Sequence, residues 1–363
     1  MSVDETYVLE APDGSRSFDA TALENDLRNM WKRAHGTVYR AALSNLVVPL
    51  DPKHSAKLSP VLVEVTRRHP SRLFSIEAGT APRGARLRAR VGAVCHRREA
   101  GAGLVCCEQV VVDSDAESAT LIPSAIRSLL IGDLPTVLLD FHPGHDLPWV
   151  SELMDMADLI LEDSCLKAQG TEPEVWHFIE REGSQRVHDL AWARLTPWRV
   201  ILAEIFDDKE HLPALGTIRG VELGFTGTGY PPPPVWLLAG WLASRLGWTP
   251  DGGDRDGLKL RSKTGGVTLV PRGGRPGEGR VLERIHIRAD APHPVDLEIV
   301  HTGRDVTALV TTRRPNESAV EVPFAYREFA ACIVGEIHRN AANRSFEDAA
   351  RAAEAMMAHW GER

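Results

Sequence analysis

The residues able to do chemistry are concentrated in a few short stretches. DFHPGHD (140–146) places His142, His145 and Asp146 just past an apolar run, the position where ligands gather beyond the strand ends of α/β sheets. An HxxH in a loop fixes no ligand geometry and nothing completes the set, so an exposed loop accounts for both histidines. GFTGTGYPPPP (224–234) has glycines spaced like those of a phosphate loop. No lysine follows them, and the prolines remove N–H donors that would cradle a phosphate, so the stretch reads as a rigid turn into a helix. GxSxG, GxxxxGK[ST] and HExxH patterns are all missing from the sequence. No catalytic residue, metal or cofactor is assigned.

Cys95, Cys106, Cys107, Cys165 and Cys332 are odd in number and lack CxxC spacing, which predicts reduced thiols rather than a disulfide framework. Cys106 and Cys107 are adjacent, so on a strand they point to opposite faces and at most one is expected to be buried. A redox role would need a resolving thiol, for which Cys95 on the neighbouring strand is the candidate; the structural reading of the pair is preferred.

Positive charge gathers at Arg67, Arg68, His69 and Arg72 and continues through Arg86, Arg88 and Arg90. Arginine forks suit a partner's phosphates or carboxylates, although a solvated strand face is the preferred reading of the last three. Arg72 enters an apolar strand, so its head group needs an exit to solvent or a partner, which could equally be an internal carboxylate or a ligand. DLAWARLTPWR (189–199) is the second cluster, with Trp192, Arg194, Trp198 and Arg199 around a Thr-Pro step and Asp189 in front. Thr196 is expected to cap a helix with Pro197 in its first turn, and the N–H groups there favour an anion. Asp189 could instead neutralise the arginines from within. Trp192 and Trp198 are read as filling the joint between two domains. Candidates for holding a partner or an anion are therefore His69, Arg72, Asp189, Trp192, Arg194 and Arg199.

The elements that would position these residues follow from periodicity. Helix is predicted over 18–35, where Leu23, Leu27, Met30 and Trp31 recur at helical spacing. A strand follows over 39–50, then a helix opened by Asp51 and Pro52 and stopped before Pro70, with Pro60 implying a kink or a late start. LFSIEA (73–78) is a buried strand. In 84–98, Leu87, Ala89 and Val91 alternate with arginines, a half-exposed strand that should pair antiparallel with 103–112. Helices and strands then alternate to 164, giving a mixed-sheet α/β N-terminal domain over 1–188. The remainder, 189–363, reads as an α+β C-terminal domain. It has a helix at 197–206, a strand at 218–225 and a buried helix at 233–248. An antiparallel meander of six strands follows between 258 and 324, then helices at 325–339 and 345–360. DGGDRDG (251–257) and RGGRPGEG (272–279) are expected as exposed loops.

A chain of 363 residues, 43% hydrophobic and 25% charged, is globular and long enough for two domains. Its net charge of −8 argues against a nucleic-acid partner. MSVDETYVLEAPDG has neither a basic nor an apolar leader segment, and VWLLAGWLA (235–243) is about half the length of a bilayer crossing. The expectation is a cytoplasmic protein without a membrane partner.

Seven stretches carry a family resemblance: SNLVV (44–48), RHPSRLFSIEA (68–78), CEQVVV (107–112), IRSLLIGDLPTVL (126–138), the DSC closing 158–165, DLAWARLTPWR (189–199) and LLAGWLASRLGW (237–248). In this order they resemble the glucose-6-phosphate dehydrogenase assembly protein family, OpcA type, and the strands beyond resemble it more loosely. The chain departs at LLDFHPG (138–144), where the family carries a tryptophan-rich WWxG. The resemblance implies a non-catalytic protein. It would bind glucose-6-phosphate dehydrogenase, the NADP-dependent entry enzyme of the oxidative pentose phosphate pathway, and promote its assembly or active state. Such an activator must bind the active form more tightly than the inactive one, through a sizeable surface with aromatic and arginine anchors. The other reading from the residues is an enzyme or sensor for a small phosphorylated metabolite, with Arg72, Arg194 and Arg199 as anion ligands.

Overall fold

A computed structural model describes residues 5–10, 14–33, 38–97, 103–142, 147–168, 186–274, 282–301, 307–312, 320–324, 327–339 and 343–360. They divide into two units: Met1–Asp163 with Arg186–His188 and Glu328–Asn340, and Ser164–Gln185 with Asp189–Arg327 and Ala341–Arg363.

In the first unit, β1 (Glu5–Glu10), β2 (Arg16–Ser17) and α1 (Ala20–Arg33) precede β3 (Val38–Arg40) and β4 (Ser44–Pro49). Asp51 opens α2 (Pro52–Arg68) by accepting the Lys53 N–H at 2.9 Å, with Pro52 in the first turn where its missing donor is harmless. The helix starts on time and runs through Pro60, whose exposed position lets water take up the freed carbonyl. Pro70 keeps His69 out of the helical region, and α2 ends there.

Then come β5 (Ser71–Glu77), β6 (Leu87–Arg97), β7 (Leu104–Ser114), α3 (Ile122–Arg127), β8 (Thr136–Asp140), α4 (Pro148–Met156) and β9 (Leu159–Glu162). After α5 (Ser164–Ala168), the strand β10 (Val187–Asp189) completes the sheet, in the order β1-β6-β7-β5-β4-β8-β9-β10, with β2 on β6 and β3 on β7. From β7 to β9 the pairings are parallel, while β6 is antiparallel to both β1 and β7. This is the expected mixed sheet. Leu87, Ala89 and Val91 are buried and Arg90 is exposed, as the alternation predicts.

The cysteines depart from expectation. Cys95 and Cys106 oppose each other directly across β6 and β7 and are joined by a disulfide. Cys106 and Cys107 are both buried, because β7 is covered on both faces: Cys107 Sγ lies 3.6 Å from the Thr66 carbonyl of α2 while Cys106 turns to Cys95. Burial pushes the Cys107 thiol up to about 11.

The second unit contains α6 (Leu190–Arg194), α7 (Thr196–Asp207), β11 (Ile218–Phe225) and α8 (Pro233–Leu246). Left-handed Gly247 terminates α8. The strands β12 (Thr249–Asp254), β13 (Gly257–Ser262), β14 (Gly265–Gly273), β15 (Leu282–Ala289), β16 (Val295–His301), β17 (Thr307–Thr312) and β18 (Val320–Pro323) follow. DGGDRDG is thus not a plain loop: its first residues belong to β12, which forms a hairpin with β13. Nor is the sheet a simple meander. Its order is β12-β13-β14-β11-β15-β16-β17-β18, and β11 lies between β14 and β15, parallel to the former and antiparallel to the latter. The chain leaves β11 through α8 and the β12–β13 hairpin, so β14 returns beside β11 in the same direction, as a helical crossover requires.

The closing helices α9 (Phe329–Arg339) and α10 (Arg344–Met357) belong to different units. α10 packs on α8 in the second unit's core, with Ala349, Ala350, Ala353 and Met356 fully buried. α9 lies on α2 in the first unit. There Glu328 meets Arg68 at 2.8 Å, Phe329 stacks on Phe141 at 5.7 Å, and buried Glu336 stands 3.0 Å from buried His188. The contiguous division expected at 188/189 is therefore interrupted: among the described residues, Ser164–Ala168 belong to the second unit and Glu328–Arg339 to the first. The apolar face of α9, with Ala330, Cys332, Ile333 and Ile337, finds its cover there.

Candidate partner-binding residues

The six candidates fall in separate units: His69 and Arg72 in the first, Asp189, Trp192, Arg194 and Arg199 in the second.

Arg72 is buried on β5, and its guanidinium has an internal partner at every side. Nη2 lies 2.6 Å and Nε 2.8 Å from Glu108 Oε2, while Nη1 donates to Glu24 Oε1 at 2.8 Å and to the Leu129 carbonyl at 2.6 Å. Buried Glu108 on β7 also accepts from Trp31 Nε1 at 2.8 Å and from Arg40 at 3.0 Å. This is a satisfied buried network. Glu108 belongs to the CEQVVV stretch, but nothing in the sequence shows that β7 lies beside β5 in the register that brings it to Arg72.

His69 is buried at the end of α2. Its Nε2 lies 3.1 Å from the Ser44 hydroxyl and its Nδ1 lies 3.2 Å from His338 Nε2 on α9. Burial, then the positive charge His338 can carry, lowers the His69 pKa below its ordinary value. Arg67 and Arg68 of the same turn bind Glu64, whose carboxyl is held down to about 2, first by the Arg67 hydrogen bond and against the opposing effect of burial. Sequence reasoning did not foresee His338, which lies 269 positions from His69.

In the second unit Asp189 caps α6, accepting the N–H of Ala191 at 2.8 Å and of Ser164 at 3.3 Å. Thr196 does not cap α7: its hydroxyl donates to the Ala193 carbonyl at 2.8 Å. Leu195 before it has nearly helical angles, so no extended capping residue separates α6 from α7. Trp192 is buried in the second unit's own core, 6.0 Å from Phe346 between ring centres, and Trp198 packs on Phe324 at 5.1 Å. These rings are core of one unit, a correction to their reading as a joint filler. Arg199 lies 3.5 Å over the Trp192 ring and donates to the Trp192 carbonyl at 2.8 Å and to Thr196 Oγ1 at 3.1 Å. Arg194 is half-buried in the last turn of α6.

His142 donates its N–H to Asp140 at 3.1 Å, while His145 and Asp146 lie outside the described residues. No group of three or more His, Cys, Asp or Glu side chains among the described residues could hold a metal ion. Gly227 and Gly229 take positive φ in the turn before α8, and Trp236 Nε1 donates to the Pro231 carbonyl at 3.1 Å, which ties that turn to the helix. No helix among the described residues is long and apolar enough to cross a membrane.

The fold and these residues define a mixed α/β protein of two units, each with its own sheet, in which Arg72, Trp192, Trp198 and Arg199 are engaged inside their own units. Residues 63–174 match the glucose-6-phosphate dehydrogenase subunit N-terminal domain, and residues 185–350 match the corresponding C-terminal domain. The chain belongs to the glucose-6-phosphate dehydrogenase assembly protein family, OpcA type. It is similar to three cyanobacterial proteins carrying the provisional name OxPP cycle protein OpcA. Identity is 29% over 190 residues with the protein of Nostoc punctiforme, covering 52% of this chain and 40% of that protein. It is 29% over 149 residues with that of Synechocystis, covering 40% and 31%, and 25% over 232 residues with that of Synechococcus elongatus, covering 62% and 47%. The match thus spans less than half the length of each relative. A Bacteroides fragilis crystal structure, provisionally described as an oxidoreductase, overlays with a TM-score of 0.42 at 9% identity over 87% of this chain and 96% of that one, too slight a likeness to carry an argument.

Proposed function

We propose that this protein is a non-catalytic assembly factor and allosteric activator of glucose-6-phosphate dehydrogenase, acting in the cytoplasm in the oxidative pentose phosphate pathway. The observation that carries the reading is the ordered match of both halves of the chain to the two domains of a glucose-6-phosphate dehydrogenase subunit. An activator works by binding the active state or oligomer more tightly than the inactive one, and the coupling is reciprocal: substrate that favours the active enzyme must tighten its hold on the activator. The sensor reading is weakened by two of the arginines it relies on, since Arg72 and Arg199 are engaged inside their own units.

The test is to purify the chain and the dehydrogenase of the same host, measure their association by calorimetry, and follow kcat and KM of the enzyme with and without the chain. Saturable association with a change in kinetics or oligomeric state is expected. Glucose 6-phosphate binding to the isolated chain, with no association, would favour the sensor instead.

A further inference from the structure

One groove of the second unit is lined mainly by apolar side chains. It is open and runs between α7, the turn at Leu212–Thr217 and α8, lined by Leu202, Phe206, Leu212, Trp241, Leu242 and Leu246 among others. Its apolar character continues on to the surface. Ala203 lines it and is exposed, and Val200 lies three positions earlier on the same helical stripe. Val200 is 46% exposed and Leu212 is 51% exposed, two of the six large apolar side chains left exposed among the described residues. Large apolar side chains grouped around a groove mark a contact site, whereas single ones do not.

The charge beside the groove says what should occupy it. Glu204, Asp207, Asp208 and Glu210 are all exposed at or just past the C-terminal turn of α7, with Lys209 among them. The carbonyl end of the twelve-residue α7 adds partial negative charge at the same place. On the opposite wall Arg245, at the end of α8, is hydrogen-bonded to Ser345. A partner must therefore present apolar side chains to the floor and positive charge to the α7 end. Trp241 and Phe206 supply the aromatic contact typical of the energetic centre of an interface.

We infer that this groove seats an amphipathic helix of the dehydrogenase. Its Leu, Met or Phe side chains enter between α7 and α8, and a Lys or Arg of the same helix faces Asp207 and its neighbours. The inference rests on the proposed function and adds to it the docking surface and the chemistry of the docked segment. Two changes at exposed positions probe it without touching the core: Leu212→Lys opposes both the apolar contact and the expected charge, and Asp207→Lys opposes the charge alone. Tyr39→Lys, at a 58% exposed position in the first unit, is the control. Dissociation constants for the full-length chain and the dehydrogenase would be measured by calorimetry at low and physiological salt, beside melting curves of each variant. Both groove variants should bind roughly tenfold more weakly or worse at an unchanged melting temperature, and Tyr39→Lys should bind like the parent. If Leu212→Lys lowers the melting temperature, Asp207→Lys decides. Parental affinity in the groove variants, or an equal loss in Tyr39→Lys, overturns the inference and leaves the proposed function standing. A parent chain that does not bind the dehydrogenase removes both.

Discussion

Gly240 of α8 lies so close to the Ala349 carbonyl of α10 that a Cβ at position 240 would stand 1.9 Å from the oxygen, with the Ala353 nitrogen 2.9 Å away. The neighbours are backbone, not the ends of flexible side chains, so nothing can yield without moving a helix. Gly240→Ala should lower stability by roughly 3 kcal/mol, the upper end of ordinary overpacking, even though alanine is the better helix former. Urea unfolding of the two proteins gives the answer; an unchanged midpoint would show that α8 and α10 separate freely.

Arg72 and Glu108 are buried together, which makes loss of one partner far worse than loss of both. Glu108→Leu should cost about 3–5 kcal/mol by leaving the guanidinium with only Glu24 and the Leu129 carbonyl, and Arg72→Met/Glu108→Leu should recover part of that loss. A double-mutant cycle in thermal unfolding reads the coupling. Losses that merely add would mean the two side chains do not act as a pair.

His69 makes the first unit sensitive to acid. Its folded pKa lies below the ordinary value of 6.5, so below that pH the unfolded chain binds the proton more readily than the folded one. The contribution of neutral His69 is present above pH 6.5 and is lost as the pH falls from there through the folded pKa. Ser44 and His338 face the ring directly, and Arg67 and Arg68 of the same turn, with Glu64 and Glu328 as their partners, supply the nearby charge. His69→Gln removes the titration and can keep a hydrogen bond to Ser44. Its unfolding midpoint should fall less than the parent's between about pH 7 and pH 5. A parallel fall in both proteins would assign the acid sensitivity to other groups.

The thiols can be counted directly. Denatured without reductant, the chain should titrate the three free cysteines, Cys107, Cys165 and Cys332, and with reductant all five. In the native state the buried, high-pKa Cys107 should react far more slowly than Cys165, which is partly exposed. Five thiols in the unreduced denatured chain would exclude the Cys95–Cys106 bond.

What the sequence makes legible is what is local. Asp51 with Pro52, the stop at Pro70 and the alternation of Leu87, Ala89 and Val91 each act within a few residues, and each appears where periodicity and capping put it. Most of the misses concern partners distant in sequence, and one local miss is a cap. Thr196 has the chemistry of a cap, but α6 runs almost directly into α7 and its hydroxyl turns back to Ala193. Six strands in succession suggest a meander until β11 enters between β14 and β15. Of the candidate residues, Arg72 on an apolar strand calls for a partner, yet identifying that partner as Glu108 requires the register of β5 on β7. Trp192 and Trp198 were visible as large rings needing cover; which core covers them was not.

The placement of α9 also bears on how the chain is made. A ribosome releases the first unit's sheet long before it releases residues 329–339, so during synthesis the face of α2 that α9 covers is left waiting while the whole second sheet emerges. The first unit cannot finish before its neighbour is nearly complete, and α10, which the second unit needs for its core, follows only a few residues later. Nascent chains halted anywhere before position 328 should therefore be open to protease at α2. Maturation of the two units is thereby coupled, because each waits on a helix that lies beyond position 328.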